Sequence, residues 1–160
     1  MIILGLDPGT TRVGYGVIEA QKGKLNLIKC GLIGEVSADQ AERLRIVEKE
    51  LGKIIKTHKP VLIGIEKIYF SKNRKTAMSV AEARGVMIAL AGRHNIPVLE
   101  FGPSEVKKIV TGSGAATKEM VGRIVALTLN LKTPPRPDDV SDALAIAIMA
   151  TFHPLTRKTP

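Results

Sequence analysis

Several features of a secreted or membrane protein are missing from this 160-residue sequence. Its only cysteine, Cys30, excludes an internal disulfide and fits a reducing compartment. The longest apolar run, residues 143–150, is far too short to span a bilayer. The first residues carry no basic leader, and their apolar run reaches Asp7 too early for a signal peptide. We therefore predict a cytoplasmic protein with no membrane segment.

Acidic residues are also scarce. Fifteen Asp and Glu residues oppose twenty-four Lys and Arg residues, so the formal net charge is +9 and the isoelectric point is near 9.9. A charge excess of this size favours a polyanionic partner, most often nucleic acid, because each neutralised phosphate releases counterions. A basic enzyme that acts on small molecules is the alternative, and charge alone favours nucleic acid only modestly.

The order of the predicted elements is typical of an α/β domain with a mixed sheet. Three strands form an antiparallel meander, and two apolar runs between helices follow, as buried strands would. The predicted strands are residues 1–8, 12–20, 25–36, 61–66 and 96–101. The predicted helices are residues 37–59, about 74–94, 103–110 and 117–131, and one that begins at Asp138. We predict one domain at 1–152 and a flexible C-terminal tail at 153–160.

Two of these helices start with N-cap signals. Ser37 and Gln40 have the spacing of a capping box, with Ser37 as the N-cap. Asp138, which follows Pro137, is a natural N-cap for the last helix. The first helix should bury one apolar stripe against the sheet. The stripe consists of Leu44, Val47, Leu51 and Ile54.

Acidic residues stand at the ends of three predicted core elements. Asp7 closes the first strand, and Glu66 ends the apolar run VLIGI. Asp139 and Asp142 lie one turn apart at the start of the last helix. Ordinary roles are the alternative: a turn former, a pair between Glu66 and Lys67, and helix acids that favour the dipole. Asp142 fits this alternative poorly, because the apolar helix that follows should be buried.

Together, these carboxylates indicate a divalent metal site. Clustered carboxylates repel one another unless a cation holds them. Oxygen ligands without a Cys or His cluster favour Mg²⁺ or Mn²⁺, and two such ions can catalyse phosphodiester hydrolysis. Two other classes stay open. One is an ATP-binding domain of the actin and sugar-kinase type, whose first phosphate loop shares the Asp-x-Gly-Thr-Thr pattern, and the other is a basic nucleic-acid-binding module whose acids only cap helices.

Four sequence blocks carry a family resemblance: LGLDPGTTRVGYGVI, IGIEKIYFSKNRKTAMSVAEARGV, PSEVKKIVTGSG and DDVSDALAIA. In this order and spacing they resemble the RuvC family of crossover-junction endodeoxyribonucleases (Holliday-junction resolvases) over essentially the whole chain. The resemblance implies a ribonuclease-H-like fold, whose five-stranded sheet has three antiparallel and then two parallel strands, with helices on both faces.

The same resemblance implies the activity and the partners. A homodimer of this family cuts two opposed strands of a four-way DNA junction in recombination and repair. Cleavage depends on Mg²⁺ and leaves 5′-phosphate and 3′-hydroxyl ends. The implied partners are junction DNA and the branch-migration complex RuvA–RuvB, and no nucleotide cofactor is implied.

Family positions also suggest roles for the acids. Asp7, Glu66, Asp139 and Asp142 match the catalytic and metal-binding positions of the family. Two Mg²⁺ ions are implied in each active site, and Mn²⁺ is expected to substitute. Asp138 is an extra neighbour in this sequence, so the choice between Asp138 and Asp139 as the metal ligand stays open. We predict Asp139 as the ligand and Asp138 as the cap.

DNA contacts are predicted in two basic segments. Tyr69 opens the segment YFSKNRK and matches the family position that stacks on a junction base, whereas Phe70 is predicted to pack in the core. Two lysines in the second segment, VKKIVTGSGAATK, match lysines that the family uses on DNA. The predicted DNA-binding residues are Tyr69, Lys72, Arg74, Lys75, Lys107 and Lys118.

The helix at about 74–94 carries two adjoining apolar rows. Small residues four apart could let a partner helix approach closely, and the bulkier row could pack inside the monomer. A two-fold dimer would present two equivalent sites to two equivalent strands. The small row is Ala77, Ala81, Gly85 and Ala89, and the bulkier row is Val80, Ala83, Met87 and Leu90.

Overall fold

The computed structural model describes residues 1–34, 39–68 and 74–153, and of Arg74 and Lys75 it describes only the backbone. Over these ranges the chain forms five strands and five helices. The strands are β1 (Ile2–Pro8), β2 (Val13–Gln21), β3 (Lys24–Ile33), β4 (Leu62–Glu66) and β5 (Val98–Phe101). The helices are α1 (Gln40–His58), α2 (Arg74–Arg93), α3 (Pro103–Thr111), α4 (Lys118–Thr128) and α5 (Asp138–Ala150).

The five strands form one mixed sheet in the order β3-β2-β1-β4-β5. The first three strands are antiparallel neighbours, whereas β4 pairs parallel with β1 and β5 pairs parallel with β4. A two-residue turn joins β2 to β3, and both of its residues, Lys22 and Gly23, have positive φ angles, as such a turn requires. The predicted sheet, with a meander followed by two parallel strands, is confirmed.

Helices cover both faces of the sheet. On one face α3, α4 and α5 build a core with the strands, and on the other face α1 and α2 build a second core. Leu62 of β4 belongs to the first core, whereas Ile63 and Ile65 belong to the second. The prediction that this strand is buried on both faces is therefore confirmed.

The first helix begins later than predicted. Its N-cap is Asp39, whose side chain accepts a hydrogen bond from the Glu42 backbone N–H at 2.8 Å. The prediction of Ser37 as the N-cap is wrong, because Asp39 holds that position, and Ser37 itself lies outside the described residues. The apolar stripe of α1 is confirmed, since Val47, Leu51 and Ile54 are buried and Leu44 is partly buried.

Other element boundaries shift for local reasons. The fourth helix ends at Thr128, because Asn130 takes a left-handed φ of 53° that a helix cannot accommodate. The last strand begins at Val98, because Pro97 has no N–H to contribute to a ladder. None of the helices described is long and apolar enough to cross a bilayer. The predicted tail at 153–160 falls outside the described ranges except for His153.

Candidate active site

The first two predicted acids lie side by side at one edge of the sheet. Leu6 of β1 is paired with Ile65 of β4 in a parallel register, so Asp7 and Glu66 follow on neighbouring strands. Parallel strands bring their carboxyl ends to the same edge, where sites of α/β proteins are built. The structure thus brings together two carboxylates that are far apart in the sequence.

Glycines in the strands determine where the last helix lies. A β-carbon on Gly14 would lie only 2.0 Å from the Asp139 carbonyl oxygen, and one on Gly5 would lie 2.0 Å from the Ala143 carbonyl oxygen. No real β-carbon approaches an oxygen so closely, so α5 contacts the sheet backbone to backbone. This contact places the first turn of α5, with Asp139 and Asp142, beside the ends of β1 and β4.

Burial and mutual repulsion dominate the electrostatics of Asp7. Its pKa is raised to about 8, chiefly by desolvation and then by the charges of Glu66, Asp142 and Asp139, whereas the charge of Lys118 opposes the shift. A carboxylate influenced by three others is part of a cluster. Perturbed carboxyl groups of this kind are typical of functional sites.

The pKa values of Glu66 and Asp142 are raised as well. Burial raises the pKa of each, the charge of Asp142 adds to the shift at Glu66, and the charges of Asp138 and Asp139 add to it at Asp142. Two lysines act in the opposite direction, since Lys107 and Lys118 lower both pKa values. The alternative role for Glu66, a pair with Lys67, is not among the ion pairs of the described chain.

The acids of α5 face basic side chains. Lys118 Nζ lies 3.7 Å from Asp142 Oδ2 and 3.7 Å from Asp138 Oδ2. Asp138 Oδ1 also lies 3.6 Å from Arg136 Nη1. The prediction of Asp138 as the N-cap is wrong: the N-cap is Pro137, and Asp138 is the first residue of the helix, where its carboxylate faces these cations.

Arg12 is a site residue that the sequence analysis missed. Its Nε donates a hydrogen bond to Asp139 Oδ2 at 2.9 Å, across 127 positions of sequence. The only sequence signal was its place directly after the Asp-x-Gly-Thr-Thr turn. A loop arginine beside a predicted acid is common, so this signal did not identify the contact.

The donor set can be compared with what a divalent ion requires. In the described part of the chain, no three His, Cys, Asp or Glu side chains are gathered into a group that could hold a metal as they stand. The chemistry nevertheless fits Mg²⁺, because the neighbouring donors are all carboxylate oxygens. Their repulsion raises the pKa of Asp7, and a bound cation would relieve it.

The predicted DNA-binding residues divide into two groups. Lys107 on α3 and Lys118 at the start of α4 both lower the pKa values of Glu66 and Asp142, so both lie at the site. Tyr69 and Lys72 lie outside the described residues, as does Phe70. Arg74 and Lys75 begin α2, but their side chains are not described.

A cavity of about 640 Å³ lies elsewhere, between β3 and α1. Tyr15, Leu32, Lys53 and His58 are among its lining residues, and none of the predicted acids is. Because Tyr15 belongs to the core under α1 and α2, this cavity is on the face opposite α5. It is therefore separate from the acid cluster.

Fold and site together define a class of protein. A mixed sheet in this strand order, with helices on both faces, is the ribonuclease-H-like arrangement found in junction resolvases. In this chain the predicted acids follow β1, end β4 and begin α5. The predicted fold class is confirmed.

Comparison with known proteins identifies the family. The model of the family described as crossover junction endodeoxyribonuclease RuvC matches residues 3–150. A crossover junction endodeoxyribonuclease RuvC from Carboxydothermus hydrogenoformans is 49% identical over 147 residues, which cover 92% of this chain and 93% of that protein. The chain therefore belongs to the RuvC family of crossover junction endodeoxyribonucleases.

Solved structures agree with this membership. The structure of Thermus thermophilus RuvC is 31% identical, with a TM-score of 0.86 and coverage of 95% of this chain and 94% of that chain. The same protein in complex with a Holliday junction substrate is 30% identical, with a TM-score of 0.89 and coverage of 95% and 93%.

Proposed function

We propose that this chain is a structure-selective endonuclease that cuts two opposed strands of a four-way (Holliday) DNA junction. Membership of the RuvC family and likeness to a RuvC–junction complex support this activity. One observation carries it in this chain: the pKa of Asp7 is raised to about 8 by burial and by the charges of Glu66, Asp142 and Asp139. Such a cluster is costly to bury, and capping helices does not account for it.

The proposal extends to a divalent cofactor, on which nucleases of this family generally depend. Asp7, Glu66, Asp139 and Asp142 would hold two Mg²⁺ ions, for which Mn²⁺ would substitute. Bound there, such ions supply a nucleophilic water and stabilise charge on the leaving oxygen. The products would carry 5′-phosphate and 3′-hydroxyl ends, as the family resemblance implies.

Basic residues around the cluster would hold the DNA. Lys118, within 3.7 Å of Asp138 and Asp142, is positioned to neutralise a phosphate brought to these acids. Lys107, whose charge lowers the pKa values of Glu66 and Asp142, would serve the same purpose. Stacking of Tyr69 on a junction base stays a prediction, as do the contacts of Lys72, Arg74 and Lys75.

A homodimer formed through α2 is a further part of the proposal. The bulkier row of α2 is turned inward, since Ala83, Met87 and Leu90 are buried in the core with α1. In the small row, Gly85 and Ala89 are exposed and could meet a second copy. A role in recombination and repair, partnership with RuvA–RuvB, a cytoplasmic location and a single domain at 1–152 also remain proposals.

Asp7→Asn tests the function directly. The substitution keeps the shape of the side chain and removes a charge that is unfavourable when buried, so the fold should persist. We expect unchanged binding to a synthetic four-way junction and at least about a 100-fold loss of cleavage in Mg²⁺, because metal ligation contributes several kcal/mol. Gel-based binding and cleavage assays measure both quantities.

Glu119→Gln is the matched control, since Glu119 is an exposed acid on α4 that pairs with Arg123. It should bind and cut like the wild type. Wild-type cleavage by Asp7→Asn would exclude the carboxylate mechanism. Junction binding without any cleavage by the wild-type protein would instead favour the non-enzymatic nucleic-acid-binding module. Binding of labelled ATP by a wild-type protein without nuclease activity would instead favour the ATP-binding class.

A further inference from the structure

The loop between β1 and β2 holds the backbone of Arg12 in a defined place. The Gly9 N–H donates to the Arg12 carbonyl oxygen at 3.1 Å. A β-carbon on Gly9 would lie 2.5 Å from that oxygen, so the turn closes this tightly only with glycine. Asp7 and Pro8 are paired with residues of β2 immediately before the turn, which therefore starts from a rigid strand.

Two further contacts support the same loop from outside. Gly34, with a φ of +124°, packs so closely that a β-carbon there would lie 2.8 Å from the Thr11 carbonyl oxygen and 3.0 Å from Arg12 Cα. The Ser79 hydroxyl of α2 donates to the Thr10 carbonyl oxygen at 3.4 Å. The Arg12 side chain thus extends from a backbone supported on several sides.

Asp139 is held equally firmly at the other end of the contact. Its carbonyl oxygen abuts Gly14, where a β-carbon would lie 2.0 Å away. With both backbones in place, Arg12 Nε donates to Asp139 Oδ2 at 2.9 Å. This bond uses one carboxylate oxygen, so Oδ1 is not used by Arg12.

We propose that Arg12 is a positioning residue that holds Asp139 through Oδ2 and leaves Oδ1 for a divalent metal ion. Arg12 would thereby distinguish Asp139 from Asp138, which faces Lys118 and Arg136 instead. The physical basis is that a ligand already oriented by a hydrogen bond loses less conformational freedom when it binds a metal. The inference rests on the proposed function, because it assumes that Asp139 is a metal ligand.

A phosphate contact is the competing role for Arg12. The Arg12 side chain is 43% exposed, so its remaining N–H groups can reach solvent or DNA. Loss of a phosphate contact weakens junction binding and reduces its salt dependence. Loss of a positioning contact weakens metal binding even when no DNA is present, and this difference separates the two roles.

The experiment measures Mn²⁺ and Mg²⁺ binding to the full chain without DNA, by titration calorimetry. We expect Arg12→Ala to bind the metal about 10–100-fold more weakly than the wild type, as loss of a group that orients a metal ligand does. The Mg²⁺ concentration for half-maximal cleavage should rise by the same factor. Cleavage in saturating Mg²⁺ and junction affinity in EDTA should both stay close to wild type.

Three other variants serve as controls. Arg12→Lys keeps the charge and should recover part of the metal affinity. Arg45→Ala removes an exposed arginine that pairs with Glu42 on α1, and it should leave metal binding unchanged. Asp139→Asn should weaken metal binding more than Asp138→Asn does, and adding Arg12→Ala to Asp139→Asn should cause little further loss.

Specific outcomes would overturn the inference. Unchanged metal affinity in a folded Arg12→Ala protein, or a loss confined to junction affinity, would show that Arg12 does not position Asp139. If Arg12→Ala does not fold, the metal affinity of Arg12→Lys is measured instead. A metal affinity equal to that of the wild type would then count against the inference. A wild-type protein that binds no divalent metal would instead contradict the proposed function itself.

Discussion

The two faces of the sheet meet their helices in different ways. Towards α5, the strands present glycines at the closest contacts: the α5 backbone rests on Gly5 and Gly14, and α5 side chains rest on Gly16 and Gly64. Towards α1 and α2, the same strands present large aliphatic side chains. The glycines are Gly5, Gly14, Gly16 and Gly64. The aliphatic residues include Leu4, Leu6, Val17, Ile63 and Ile65.

This difference explains where the acids are placed. Side chains in a core can change rotamer to accommodate a neighbour, whereas two backbones in contact cannot yield without moving whole elements. The face with backbone contacts is the one on which α5 brings Asp139 and Asp142 to the cluster. Rigid contact and candidate chemistry therefore occur on the same face.

Charged residues differ between the two regions as well. On α1, hydrogen bonds from Arg45 and Lys53 lower the pKa values of the exposed Glu42 and Glu50. At the sheet edge, burial dominates, and it raises the pKa values of the acids there. The acids on α1 are ordinary surface groups. The acids at the sheet edge are buried and repel one another, and a bound metal ion would relieve this repulsion.

Gly5→Ala should have the largest effect on stability. Its β-carbon would lie 2.0 Å from the Ala143 carbonyl oxygen and 2.7 Å from the Ala147 backbone nitrogen, so α5 must move. We expect the free energy of unfolding to fall by more than about 3 kcal/mol in urea titrations. Gly92→Ala is the control, because nothing beyond its chain neighbours and the nearby backbone of its own helix lies within 4 Å of its β-carbon, and it should stabilise α2 by about 0.5 kcal/mol. Equal effects of the two substitutions would contradict the backbone contact.

Leu51→Ala tests the opposite face. Leu51 is fully buried on α1, and its truncation leaves a cavity that should cost about 3 kcal/mol of unfolding free energy. Metal binding should nevertheless stay close to wild type at temperatures where the variant is folded, since α5 keeps its place. A large loss of metal affinity in folded protein would show that the two faces are coupled.

The pH dependence of stability should distinguish the site from the surface. Asp7 has a pKa of about 8 when folded, against an ordinary value of 3.8, so the folded state binds more protons between these values. Without metal, the free energy of unfolding should therefore fall as pH rises from about 5 to about 8, by roughly 1 kcal/mol per pH unit. Thermal or urea unfolding in EDTA measures the slope, and Asp7→Asn should flatten it. A free energy of unfolding that rises with pH over this range would be inconsistent with a buried Asp7.

Ser141→Ala should have the smallest effect. Ser141 is 5% exposed, and its Oγ has no hydrogen-bond partner among the residues described. Removing an unsatisfied buried hydroxyl should leave stability unchanged or raise it by about 0.5 kcal/mol. A loss above about 1 kcal/mol in urea unfolding would indicate a partner for Oγ.

Much of the fold was accessible from local patterns. Apolar segments predicted the strands, helical spacing predicted the buried stripe of α1, and a nearly continuous apolar run predicted the buried strand β4. The N-caps were less accessible, because Ser37, Asp39 and Asp138 all have suitable side chains. Only the path of the chain into each helix decides which residue caps it.

Sequence by itself determined the element order, the mixed sheet, the family and the four candidate acids, because these follow from periodicity, from motifs and from where strands end. Tertiary structure alone decided which side chains face one another across the chain. Arg12 reaches Asp139 because Gly14 lets α5 rest on β2, and Lys118 lies between Asp138 and Asp142. Such contacts depend on distances between elements, which the backbone fixes only when the whole sheet and its helices have come together.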